Sequence, residues 1–308
     1  MADTSAKLGG IVPPLVTPLT EDGEVDTAAL AALIEFVVDA GVDGLFVVGS
    51  SGEAPYLTDR QRADVVATAV RAAGGRVPVL AGALDMTAPR VLAQARMIHD
   101  LGADYAVVAP PTYAIASDDE VVDHYRRVSR GAGIPVVAYD IPSRAHRRLG
   151  APILVRLAAE GLARAVKDSS GDILGARRLL DELDGADFPV LIGSELAVDL
   201  GVYLGCAGAV PGLANVDPHG YVRVYQLAAQ GRWAEAAAEQ RRLLRLYRSI
   251  ELGRRWGLGV DAAAYGAFKT ALVLRGILPC ARTAAPQQPL PDMVREEIAH
   301  LLIAAGLL

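Results

Sequence analysis

Along the chain, short β-branched apolar runs alternate with longer stretches in which apolar residues recur every three or four positions. Eight runs are read as strands: Gly10 to Val12, Gly44 to Val48, Val77 to Ala81, Tyr105 to Val108, Val136 to Tyr139, Ala163 to Val166, Val190 to Ile192 and Gly208 to Val210. Each is nearly continuously apolar, the pattern of a parallel strand buried on both faces; a half-solvated strand would alternate. Helical periodicity fills the intervals, for example over Thr27 to Ala40, Thr58 to Ala73, Ala88 to Leu101, Asp118 to Arg130 and Asp172 to Leu183. Asp26, Thr58 and Ser117 stand where N-caps belong, and Glu120, three residues after Ser117, completes a capping box.

Eight strands with helical crossovers predict an α/β fold, a (β/α)8 TIM barrel in preference to an open doubly wound sheet. After the eighth run the β signal stops, and helical patterns continue at Trp233 to Leu252, Asp261 to Arg275 and Pro291 to Leu302. Residues 1–230 are therefore expected to form the catalytic barrel and residues 231–308 a C-terminal helical appendage. The appendage should pack on the barrel, because no Ser/Gly-rich linker separates the two.

Composition narrows the class of function. With 52% hydrophobic and 21% charged residues, the 308-residue chain can bury a large core and is not a disordered solvating protein. A net charge of -6, with basic residues only in short pairs and triplets, supplies no footprint for nucleic acid, whereas anionic small molecules need only a few local donors. Met1 to Gly10 lacks the apolar core of a signal peptide, and no apolar stretch reaches the ~18 residues of a membrane span, so a cytoplasmic protein with no membrane partner is expected. Cys206 and Cys280 show neither CxxC spacing nor neighbouring His partners and are read as buried free thiols. The five histidines are scattered without ligand spacing, so neither a metal nor another cofactor is expected.

In such a barrel, catalytic groups sit at the carboxyl ends of the strands. Strand 2 runs into Gly49-Ser50-Ser51-Gly52-Glu53, where a tight turn exposes amides beside two hydroxyls; this is either an anion nest or a plain βα turn. Strand 6 is followed by Lys167, which either projects into the mouth as an amine able to form a Schiff base or is a snorkelling lysine paired with Asp168. Strand 5 ends in Tyr139-Asp140-Ile141-Pro142-Ser143-Arg144, offering a phenol for proton transfer and a guanidinium for a carboxylate. Lysine, tyrosine and nest at three strand ends of one barrel spell carbonyl chemistry on an anionic substrate.

These motifs, with Pro13-Pro14-Leu15-Val16-Thr17-Pro18 and Gly212-Leu213-Ala214-Asn215, resemble the dihydrodipicolinate synthase / N-acetylneuraminate lyase family of class I, pyruvate-handling aldolases. The resemblance spans nearly the whole chain. It implies a homotetramer, commonly a dimer of tight dimers, acting on a small 2-oxo acid and an aldehyde. It further implies that Lys167 forms the imine and that Tyr139 shuttles protons. Ser51 and neighbouring amides such as that of Gly52, with the backbone at Val210, would hold the pyruvate carboxylate. Ser50 would relay protons to a second tyrosine reached across the tight dimer, for which Tyr113 in Pro110-Pro111-Thr112-Tyr113 is the candidate.

Arg144 resembles the arginine with which dihydrodipicolinate synthases grip aspartate semialdehyde; the alternative is that it turns outward with Arg147 and Arg148 on a solvated loop. The loop Gly-Ser-Ser-Gly-Glu-Ala-Pro-Tyr and the stretch Lys-Asp-Ser-Ser-Gly-Asp are closer to 4-hydroxy-2-oxoglutarate and 2-keto-3-deoxy sugar acid aldolases. Thr112 also departs from the synthases, which usually carry a tyrosine there. A catabolic 2-oxo acid aldolase is thus the leading expectation, ahead of a 4-hydroxy-tetrahydrodipicolinate synthase and a related keto-deoxy acid dehydratase. A catalytically silent metabolite-binding homologue would be expected to lack Lys167 or Tyr139.

Overall fold

All eight apolar runs become parallel strands in the computed structural model, which describes residues 8–308. The strands are β1 (Gly10–Ile11), β2 (Leu45–Val47), β3 (Val79–Gly82), β4 (Tyr105–Val108), β5 (Val136–Asp140), β6 (Ala165–Asp168), β7 (Val190–Ile192) and β8 (Gly208–Ala209). They are hydrogen-bonded in the order β1-β8-β7-β6-β5-β4-β3-β2. The remaining seam, between β1 and β2, is bridged where Phe46 N donates to Pro13 O at 3.0 Å and Leu15 N to Phe46 O at 2.8 Å. Pro13 and Pro14 have no N–H, so a regular ladder cannot continue there. The side chain of Asn215 substitutes for it, accepting from Val16 N and donating to Pro14 O and Gly212 O. The two motifs at the ends of the sequence pattern, one after β1 and one after β8, therefore close the barrel together.

Inward-facing residues of the strands, among them Val12, Phe46, Leu80, Val107, Val137, Tyr139, Leu191 and Val210, fill the interior as one apolar cluster. A second, larger cluster lies between the strands and the helices. The helices of the barrel are α1 (Thr27–Asp39), α2 (Asp59–Ala73), α3 (Ala88–Asp100), α4 (Asp118–Gly131), α5 (Pro142–Ala145), α6 (Ala151–Ala159), α7 (Ile173–Leu183) and α8 (Val198–Leu204). The caps read from sequence are formed: Asp26 accepts from Ala29 N, and Thr58 with Gln61 and Ser117 with Glu120 make capping boxes. Such caps satisfy amides that have no partner within the helix.

Four further helices follow: α9 (Pro218–Ala229), α10 (Trp233–Tyr247), α11 (Val260–Leu274) and α12 (Asp292–Ala304). The helix expected over Trp233 to Leu252 stops at Tyr247 and continues as a 3₁₀ segment, Arg248–Trp256, which ends at Gly257 with φ 80°. Leu246, Phe268, Leu272, Val294, Ile298 and Leu302 from this region belong to the same apolar cluster as the outer faces of the strands. No helix among the described residues is long and apolar enough to cross a membrane. The part of the N-terminal targeting reading that rests on residues 1–7 lies outside the described residues. Both cysteines are free, but only Cys206 is buried; Cys280 is half-buried, with its Sγ 3.3 Å from Glu21 Oε1, a correction to the sequence reading.

Candidate active site

Strand geometry decides what Lys167 can do. The apolar signal suggested that the sixth strand stops at Val166, yet β6 runs to Asp168. Successive side chains point to opposite faces, so Lys167 enters the barrel while Asp168 leaves it. Asp168 accepts from Ser170 N at 2.8 Å, and no Lys167–Asp168 pair forms. Tyr139 is the register partner of Lys167 on β5, so both side chains project from the same inner surface. Lys167 Nζ lies 3.1 Å from Tyr139 Oη in a buried contact. The aliphatic stem and ammonium are boxed by aromatic faces, with Nζ 4.8 Å from the Phe46 ring centroid and 4.3 Å from that of Tyr139.

Burial by itself would raise the Tyr139 pKa, but the Lys167 ammonium and the hydroxyls of Ser50 and Ser169 more than offset it, leaving the phenol below its ordinary value. The group is thus easier to ionise than free tyrosine, as a proton acceptor near neutrality requires. Ser169 was not anticipated. Gly193 makes its position possible: a Cβ there would lie 2.0 Å from Ser169 Oγ.

The Gly49 to Glu53 segment is a sharply wound loop at the end of β2. Val48 has φ 54° and Glu53 φ 59°, both left-handed, and for a β-branched valine this is a strained conformation costing of the order of 1–3 kcal/mol. Surrounding contacts hold it: Glu53 N donates to Ser50 O at 3.0 Å, Ala54 N to Gly49 O at 3.2 Å and Thr17 Oγ1 to Gly52 O at 2.7 Å. Ser50 and Ser51 are both half-buried, and Ser50 lines the mouth against Tyr139.

A stripe on α11 holds the other side of this loop. Asp261, Tyr265 and Lys269 recur every four residues on a helix whose one other polar side chain is Thr270, so they share one face. Lys269 is fully buried and forms an ion pair with Glu53, also fully buried, while donating to Arg282 O at 2.7 Å. The second oxygen of Glu53 accepts from Ala284 N at 2.6 Å and Gln287 Nε2 at 2.9 Å. The C-terminal region thereby anchors the nest loop. Lys269→Met should lower stability by about 3–5 kcal/mol, because it strands a buried carboxylate. The double variant Glu53→Met/Lys269→Met should lose less than the sum of the single losses. Urea midpoints check this, and strictly additive losses would show that the two side chains do not act as a pair.

The mouth is a cavity of about 560 Å³ lined by Ser50, Tyr56, Thr112, Tyr139, Arg144 and Tyr265 among others. Arg144 is neither free nor grouped with its neighbours. It pairs with Asp261, whereas Arg147 pairs with Asp118 at 2.6 Å and Arg148 with Asp140 at 2.8 Å. The outward arginine cluster considered from sequence is therefore corrected, because each guanidinium finds a separate carboxylate. Val210 is also reassigned. It is buried beside the site, but its N–H donates to Ile192 O at 2.7 Å and its carbonyl is an acceptor, so its backbone cannot grip a carboxylate. Tyr113 is 87% exposed and stands outside the mouth cavity of its own chain.

Glu195, after β7, was missed. It is half-buried as a residue, yet its carboxyl group turns inward toward Lys167 and the N–H groups of Gly212 and Leu213. Burial pushes its pKa up against those stabilising contacts. A glutamate three residues past a barrel strand was a legible signal, as was the four-residue spacing of polar groups on α11.

The chain is similar to known proteins along nearly its whole length. A model of the "Dihydrodipicolinate synthetase family" matches residues 7–304. An uncharacterized DapA-like lyase of Halobacterium salinarum is 36% identical over 256 residues, covering 83% of each chain. A 4-hydroxy-tetrahydrodipicolinate synthase of Phenylobacterium zucineum is 32% identical over 301 residues, covering 97% of this chain and 98% of that one. Among solved structures, the prophage protein YagE of E. coli K12, of the dihydrodipicolinic acid synthase family and in complex with pyruvate, superposes with a TM-score of 0.91. It is 28% identical, with coverage of 98% and 100%.

Proposed function

The chain belongs to the dihydrodipicolinate synthetase family, and from that membership we propose that it is a lysine-imine carbon–carbon lyase that joins or cleaves pyruvate and an aldehyde, of the 4-hydroxy-2-oxoglutarate or 2-keto-3-deoxy acid aldolase type. The observation that carries the reading is the buried contact between Lys167 Nζ and Oη of Tyr139, a residue that lines the mouth. The neutral amine adds to the C2 carbonyl, and loss of water gives a protonated imine. That cation is an electron sink: when the C3–C4 bond breaks, its electron pair is taken up as an enamine, and the C4 hydroxyl proton passes to Tyr139. Protonation of C3 and hydrolysis release pyruvate and restore the amine. In the synthetic direction the enamine attacks the aldehyde.

Ser51 and the amide of Gly52 are assigned to the pyruvate carboxylate from the family resemblance, in a loop whose tight turn exposes amides beside hydroxyls. Ser50 is assigned to the proton path because it touches Tyr139. Tyr113, exposed in the single chain, joins that path only if a second copy presents it, which is consistent with a homotetramer built from tight dimers. A second reading, 4-hydroxy-tetrahydrodipicolinate synthase, is favoured by the names of the curated relatives. Against it stands Arg144, whose charge is already met by Asp261, a point that also favours the 2-keto-3-deoxy acids over 4-hydroxy-2-oxoglutarate.

The deciding experiment is a product screen of pyruvate with a panel of aldehydes that includes aspartate semialdehyde, set against cleavage of 4-hydroxy-2-oxoglutarate and 2-keto-3-deoxy acids. Turnover confined to aspartate semialdehyde would replace the aldolase with the synthase, and no reaction of any kind would remove both.

Feedback inhibition by lysine is not expected. The positions matching the lysine pocket of regulated synthases carry Asp85, Pro89, Arg62 and Thr112. Asp85 is already held by Arg90 Nε at 2.7 Å and Gln94 Nε2 at 2.9 Å, and the Arg62 guanidinium, on the Ala54 carbonyl, repels an incoming amine. Submillimolar inhibition in a lysine titration would contradict this.

A further inference from the structure

We propose that Arg144 and Asp261 together form a charge-neutral reader of the aldehyde half of the substrate, which selects a neutral polyhydroxylated aldehyde over one ending in a carboxylate. The inference rests on the Lys167 imine reading and deepens it, choosing the 2-keto-3-deoxy acid type over 4-hydroxy-2-oxoglutarate, whose aldehyde half, glyoxylate, carries a carboxylate. Arg144 comes from the short helix α5 that follows β5, and Asp261 from the first turn of α11. Their ion pair stands in the wall of the mouth cavity that also contains Ser50 and Tyr139. On its far side lies a second cavity, of about 510 Å³, formed by residues 257–262 and 286–288; Tyr56, Arg144 and Asp261 line both.

The pair is held in place and remains reachable. Arg144 is 44% exposed and Asp261 21%. Tyr265, one turn beyond Asp261, hydrogen-bonds to it, and burial with the nearby carboxylate pushes the Tyr265 pKa up, so that hydroxyl remains a donor. The other ions of the cavity wall are engaged elsewhere, Asp85 with Arg90 and Arg62 with the Ala54 carbonyl.

A tail carboxylate reaching this wall would have to displace Asp261 from Arg144 or sit beside it. In the first case Asp261 is left unpaired beside the new carboxylate and in the second two carboxylates share one guanidinium; both are like-charge arrangements that work against the anionic substrate. Vicinal hydroxyls meet no such obstacle. One donates to the Asp261 carboxylate while its neighbour accepts from a guanidinium N–H that the ion pair leaves over. A cation without Asp261 would read carboxylates; the pair reads diols.

The test compares kcat/KM for addition of pyruvate to glyceraldehyde and to tartronate semialdehyde, which differ only in a terminal CH2OH or carboxylate. The native protein should favour glyceraldehyde by roughly tenfold or more. Asp261→Asn should cut that preference by about 30-fold, mainly by raising the rate with tartronate semialdehyde as Arg144 is released. A native preference for the acid, or a ratio unchanged within about twofold in the variant, overturns the proposal. Borohydride trapping with pyruvate accompanies both proteins. An adduct on Lys167 in each assigns a failed ratio to this inference alone, whereas no adduct in the native protein brings down the imine reading and this inference with it. Should Asp261→Asn not fold, the double variant Arg144→Met/Asp261→Leu decides, since it removes both charges and leaves no unpaired carboxylate to repel the acid. It should lose about tenfold with glyceraldehyde and change little with tartronate semialdehyde, while a larger loss with the acid would mark Arg144 as a carboxylate clamp and overturn the neutral reader.

Discussion

Lys167→Ala should abolish turnover, with a loss of roughly 10⁴-fold or more, and should leave no pyruvate adduct after borohydride reduction. The proposed imine requires a primary amine beside Tyr139, and among the described residues no other lysine is placed there: Lys269, also buried, is committed to Glu53 and the Arg282 carbonyl. The fold should survive, because Lys167 forms no salt bridge among the described residues, and Glu195, the carboxylate that faces it, keeps its bonds from the Gly212 and Leu213 N–H groups. Peptide mapping of the reduced native protein should find the adduct on Lys167. An adduct on a different lysine would overturn the mechanism at its first step, and so would a variant that still turns over.

Tyr139→Phe is expected to lower kcat by about 10²- to 10⁴-fold while pyruvate still forms the imine. The ring stays, so the edge-on packing against Phe46, with centroids 6.1 Å apart, is kept and the loss is of the hydroxyl alone. That hydroxyl is where the Lys167 ammonium, Ser50 and Ser169 converge, and their combined effect is what holds its pKa below the ordinary phenol value. A group so tuned suits the proton transfer proposed for it. A variant whose kcat stays near native while only KM rises would move Tyr139 from proton transfer to substrate binding. Burst measurements with pyruvate alone separate the two, since imine formation precedes the step in which the aldehyde takes part.

The fold was legible because its signals are local. A buried parallel strand must be apolar on both faces, and this held for eight short runs whose positions the structure reproduces within a few residues, with Tyr105–Val108 and Val190–Ile192 matching at both ends. Helix starts were legible for the same reason: Asp26, Thr58 and Ser117 cap with side chains that reach only three residues along the chain. Strand ends at the mouth were less so. Lys167 and Asp168 continue β6 although they break the apolar pattern, since the mouth is where polar groups are useful and the ladder depends on backbone alone.

By itself, then, the sequence determined the barrel, the family resemblance and the placing of Lys167, Tyr139 and the Gly-Ser-Ser-Gly-Glu loop at strand ends, all of them consequences of period, capping and motif that a few neighbouring residues encode. Tertiary structure alone decided the partners. That Arg144 meets Asp261 117 positions away, that Glu53 is answered by Lys269 216 positions on, and that the Val210 N–H is spent on Ile192 depend on which segments the closed barrel brings within ångströms of each other. Charge pairing and hydrogen bonding act over such distances in space and carry no record of separation along the chain. A residue's type therefore announces what it can do, and its neighbours in space decide what it does.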